Sequence, residues 1–138
     1  RRKPRALPLR DEMRTDRRWA AFLAAQDLVW GQTPTAWYQG PFLGNGRQAT
    51  MIYQPPGRNA LRFDVQHSEV QDHRPPRNGV TIDKARLPIG AFFLEPEDAI
   101  TGVDLRLDLW NAELWGTVIT DRGELALRAF IHAEKERT

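Results

Sequence analysis

At 138 residues, with 41% hydrophobic and 28% charged side chains, the chain has the size and balance of one globular domain, not of a disordered or fibrous polymer. It contains no cysteine, which excludes disulfides and a cysteine-ligated zinc site, and no run of about 18 apolar residues, which excludes a membrane-spanning helix within it. The net charge of +2 is unevenly placed: residues 1–18 carry eight Lys or Arg against three Asp or Glu, whereas the other 120 residues carry 12 against 15.

Residues 1–10, with Pro4 and Pro8, read as an extended basic arm. Such an arm suits phosphate backbones through counterion release, but it is more commonly a solvated terminus, so nucleic acid is not the expected partner. The first residue is Arg1, not Met, and no signal peptide is visible, which suggests a chain processed or excised from something longer.

Residues 15–26 are the one good helix candidate. Thr15 suits its cap and Asp16 its positive end, and Trp19, Phe22 and Leu23 share a face that is expected to dock on the rest of the domain. Residues 27–41 show no period and are broken by Gly31, Pro34, Gly40 and Pro41. Trp30, Trp37 and Tyr38 make this loop rich in rings, which either plug gaps beside a sheet or stack on sugar faces.

Next comes Gly40-Pro41-Phe42-Leu43-Gly44-Asn45-Gly46-Arg47. Glycine and asparagine tolerate positive φ, so the segment can turn sharply and present Asn45 and Arg47 outward. From residue 48 the period changes to two. Residues 48–53 and 61–65 read as strands of a hairpin joined by the Pro55-Pro56-Gly57-Arg58-Asn59 turn.

Residues 66–85 form the longest polar stretch and read as a loop ending in an Asn78-Gly79 turn. His67 and His73 lie in it. Together with Asp64 or Asp72 they match no ligand spacing, so neither a metal nor another cofactor is expected. Residues 87–93 alternate as a strand whose Pro88 and Gly90 predict an edge or a bulge. Glu95, Glu97 and Asp98 crowd the Pro96 turn, where carboxylates are more often solvated than catalytic.

The alternating runs 103–109, 114–119 and 125–131, with turns at Asn111 and at Asp121-Arg122-Gly123, predict a three-strand antiparallel meander. Gly116 is read as leaving room for a large ring. The last strand, residues 125–133, has no partner in the chain, a further reason to expect a longer natural protein. One short N-terminal helix plus about six strands with short turns predicts a mainly β, antiparallel β-sandwich over residues 11–138.

Residues 37–53, with the glycine-rich run at their centre, resemble the Pro-Leu-Gly-Asn-Gly segment near the start of family 95 glycoside hydrolases. These are α-L-fucosidases and relatives with a six-hairpin (α/α) barrel. Arg106-Leu107-Asp108-Leu109-Trp110-Asn111-Ala112, followed by Gly123-Glu124-Leu125-Ala126-Leu127-Arg128-Ala129-Phe130, resembles their "Leu-Asp-Leu, two residues, Ala" strand and a later strand carrying Arg and Phe. The resemblance implies an N-terminal β-supersandwich domain of such an enzyme, with the catalytic carboxylates in a downstream helical barrel and none here.

Asn45 and Arg47, then His67 and His73, are the residues such a domain would lend to a carbohydrate cleft. Both Asn and Arg can donate to sugar hydroxyls, Arg in a fixed fork. The family usually carries an Asn-Glu-Asp-Thr-Leu-Trp run where this chain reads Phe63-Asp64-Val65-Gln66-His67-Ser68-Glu69. That departure implies a divergent branch, not a fucosidase proper. Relatives that degrade carbohydrate are typically exported, so an extracytoplasmic setting is implied. The competing readings are a stand-alone carbohydrate-binding module using the tryptophans and an anionic-surface or nucleic-acid binder using the arm.

Overall fold

The computed structural model describes residues 16–72 and 86–133. The basic arm, Thr15, His73 and the Asn78-Gly79 turn lie outside them. Helix α1 (Asp16–Ala24) precedes eight strands: β1 (Leu28–Trp30), β2 (Phe42–Gly44), β3 (Gln48–Tyr53), β4 (Leu61–Gln71), β5 (Arg86–Leu94), β6 (Ile100–Asp108), β7 (Glu113–Thr120) and β8 (Gly123–Phe130). They form two four-stranded antiparallel sheets, ordered β1-β6-β7-β8 and β2-β3-β4-β5. The molecule is an antiparallel β-sandwich, as the alternating pattern predicts.

The core lies where the two inner faces meet. Leu43 and Ile52 from one sheet cluster with Val103, Leu105, Leu107 and Leu114 from the other. Trp30, Phe63, Leu127, Ala129 and Ile131 pack around them, partly buried. From Val103 to Leu107 every second residue of β6 is buried and the intervening Asp104 and Arg106 face outward, so the period of two sorts this part of the strand. Thr50 is the one buried polar side chain of this interior among the described residues, and its hydroxyl has no hydrogen-bond partner.

Several sequence expectations are corrected. Residues 28–30 are a strand, not loop: Leu28, Val29 and Trp30 pair with Leu107, Arg106 and Leu105 of β6. A three-residue strand flanked by Gly31 is too short to display a period. The helix ends at Ala24 with a tighter last turn, Gln26 N–H donating to the Leu23 carbonyl at 2.8 Å. Its apolar face does not dock: Trp19 and Phe22 stay 41% and 47% exposed and meet each other edge-on at 6.1 Å. What ties this segment down is polar. The Asp27 carboxylate, 5% exposed, accepts from Arg106 Nε at 2.8 Å and from the Leu109 N–H at 3.0 Å.

β4 continues to Gln71, so residues 66–71 are strand where a loop was predicted. Their polar composition hid the pattern, because this end of the sheet runs past the core. β5 is an edge strand, and its register skips a residue between Gly90 and Pro88, so the expected edge and bulge are both present. Proline can stand there because an edge strand has an unpaired side.

Gly116 does not make room for a ring. It pairs with Leu105 at φ 148°, and a side chain there would strike the Asp104 carbonyl of β6. The close neighbour is backbone. The meander and its turns are as predicted, with Thr120 and Gly123 closing the β7–β8 hairpin.

Candidate functional site: the cleft beside the glycine-rich turn

The glycine-rich run divides into parts with different tasks. Gly40 is buried against β3: the Ile52 carbonyl lies where its Cβ would be, and the Pro41 carbonyl accepts from Ile52 N–H at 2.9 Å. Residues 42–44 are strand β2, which pairs with residues 49–51 of β3. Only Asn45, Gly46 and Arg47 remain as a turn, and Gly46 supplies the positive φ, 89°, that lets it close.

Asn45 holds this turn together. Its side-chain carbonyl accepts from the N–H groups of Arg47 at 3.0 Å and Gln48 at 2.8 Å, and its amide donates to the His132 carbonyl at 3.0 Å. The last bond joins the β2–β3 turn to the chain just after β8. Asn45 was singled out as a group presented outward. Its side chain is instead bound into the protein, shaping the turn that carries Arg47.

Arg47 is half exposed and makes an ion pair with Glu69 at 3.0 Å. Its carbonyl accepts from Ser68 N–H at 2.7 Å, which draws the turn onto β4. His67 is half-buried on β4, opposite Gln48. Its Nδ1 accepts from the Glu69 N–H at 3.2 Å, so in the neutral ring Nε2 carries the proton and is the donor. Arg47 and His67, 20 residues apart in sequence, thus line one cleft of about 220 Å³ together with Gln48, Gln66, Ser68 and Arg86. Arg86 was not anticipated; it sits at the start of β5, opposite Gln71, beyond a polar stretch with no periodic signal.

Among the described residues no metal arrangement is formed. Asp64 and His67 are three residues apart on one strand, so alternation sends their side chains to opposite faces. Asp64 pairs with Arg62 at 2.6 Å, and among the described residues no group of three His, Asp or Glu could hold an ion.

Two of the three carboxylates of the Pro96 turn are engaged elsewhere. Glu95 accepts from Arg58 Nε at 2.7 Å, and Asp98 pairs with Arg122 at 3.3 Å. Asn59 locks that turn in place, donating to the Asp98 carbonyl at 2.9 Å and accepting from Ile100 N–H at 2.7 Å. The described groups that line the cleft can bind and orient, and among the described residues they include no carboxylate pair for acid and base work.

The rings are distributed differently. Trp30 is half-buried and donates to the Gln39 carbonyl at 2.8 Å. Trp37, Tyr38, Trp110 and Trp115 are exposed. Trp37 and Tyr38 stand at 89° to each other, so they do not make a flat platform. Among the described residues no helix is long and apolar enough to cross a membrane. No protein family, curated protein or solved structure matches this chain.

Proposed function

We propose that this chain is the non-catalytic β-sandwich domain of a glycoside hydrolase related to family 95. In this reading it packs on a helical catalytic barrel that follows it in the parent protein, and it lends cleft residues to a glycan substrate outside the cytoplasm. Arg47 and His67 are the lent side chains, Asn45 sets the turn that delivers the first, and His73 stays a candidate beyond the described residues. The observation that carries the proposal is the convergence of the family-like turn and β4 on one cleft rich in hydrogen-bond donors. Neutral amides, a hydroxyl, an imidazole and a guanidinium fork suit sugar hydroxyls.

The test is an NMR titration of the 138-residue chain with a panel of methyl glycosides. Amide shifts at residues 44–48 and 66–68, abolished by Arg47→Ala, are expected, with no glycoside released. Glycoside hydrolysis by this chain alone would overturn the assignment. Shifts gathered instead around Trp37, Tyr38, Trp110 and Trp115 would favour the stand-alone binding module, which the exposure of those four rings keeps in play.

A further inference from the structure

Among the described residues the sandwich has four edge strands, and three of them are blunted against further pairing. β1 and β2 have only three residues each, and β5 carries Pro88 and a bulge. β8 is different. Its eight residues pair with β7 without a register shift, include no proline, and have a neighbour on one side only among the described residues. Alternate residues of such an edge turn N–H and C=O to the open side, where another strand can meet them.

The side chains of β8 favour one occupant. Leu125 lies on the core side, opposite the buried Val118, yet is 41% exposed, so this edge leaves apolar surface in water. Glu124, Ala126 and Arg128 alternate onto the outer face, opposite Ile119, Thr117 and Trp115. Glu124 and Arg128 are exposed, carry opposite charges and stand two places either side of Ala126. Glu113 takes two of the five N–H donors of Arg128, whose side chain stays 66% exposed.

We infer that β8 is a self-association edge: it pairs antiparallel with β8 of a second copy, Ala126 facing itself across a twofold axis, so that two four-stranded sheets join into one. In that register Glu124 meets Arg128 of the second copy and Arg128 meets its Glu124, both on the outer face, while Leu125 meets Leu127 on the core side. A twofold interface must complement itself. A strand whose charges oppose each other across its own centre does so, whereas like charges directly opposite would repel. The inference stands apart from what the cleft binds.

Sedimentation equilibrium of the 138-residue chain from about 1 μM to about 1 mM tests it. A monomer–dimer equilibrium is expected, with amide exchange slowing in residues 123–130 as the dimer forms. Glu124→Arg places like charges at both symmetric contacts and should weaken the dimer about tenfold or more, an effect that salt reduces. The melting temperature of the dilute variant should hold, because the side chain is exposed.

Adding Arg128→Glu to that variant exchanges the two charges and should restore the dimer. The exchange pattern of the unaltered chain keeps the test decisive even if the double variant, having lost the Glu113 pair, fails to fold. A monomer at every concentration would overturn the inference, as would a dimer protected on β5, on α1 or on any face other than β8. So would a dimer that Glu124→Arg leaves untouched, or a folded double variant that stays monomeric.

Discussion

Two residues show how single side chains constrain this sandwich. Gly116 sits at φ 148°, and its missing Cβ lets β7 lie against the backbone of β6 at Asp104 and Leu105. Gly116→Ala would force the strands apart in the middle of the core sheet, and should cost about 2 kcal/mol or more in urea unfolding. A cost indistinguishable from zero would contradict the close approach.

Asp108 closes the β6–β7 turn. Its carboxylate is held below its ordinary range near 3.8, first by the Asn111 backbone N–H and then by the Asn111 side-chain amide, with burial opposing. A carboxylate whose folded pKa is depressed stabilises the fold above the unfolded value and loses that contribution as pH falls through the folded one. Stability measured from neutral pH downward should therefore drop below about pH 4, and Asp108→Asn should flatten that drop. An identical acid limb in the variant would show that other groups set it.

At the scale of elements, the N-terminal segment is held by a buried acid more than by apolar docking. β1 has only three residues, and Trp19 and Phe22 of α1 remain exposed. Asp27 bridges the helix end to β6 through Arg106 Nε and the Leu109 N–H, and Arg106 also donates to the Ala24 carbonyl at 3.2 Å. Asp27→Ala would leave a part-buried N–H without its acceptor and release that guanidinium. A loss of about 2 kcal/mol is expected, with amide exchange in residues 16–30 rising first. Uniform loss of protection across both sheets would instead mean that Asp27 supports the whole sandwich.

The edge strand β5 is guarded differently: Pro88 removes a donor and the bulge beside it interrupts the ladder. That device was visible in the amino-acid order, because proline and glycine act locally. The β1 pairing was not, because a strand of three residues takes its identity from Leu105, Arg106 and Leu107, some 77 positions later.

For the molecule as a whole, the interior depends on a few side chains. Leu105 is 1% exposed at the centre of the cluster that joins the sheets. Leu105→Ala should cost about 3 kcal/mol, and one cooperative transition should shift as a unit. If the sheets melted separately, the shared core would not be what couples them.

Alternating hydrophobicity made both the fold class and the C-terminal meander legible, since alternation is a local consequence of the pleat. Arg47 and His67 could be picked out as chemically useful residues, but their meeting depends on β3–β4 register. Arg86 carries no local signal whatever. Asn45 was noticed for its loop, but its bonds within the protein were not legible, because nothing in the order of residues reveals that the His132 carbonyl accepts from its amide. Local rules wrote most of the strands and turns of this protein, β1 and the end of β4 excepted. The cleft arose from long-range pairing, which brings distant backbone together and assigns each polar side chain either to the protein or to the space beside it.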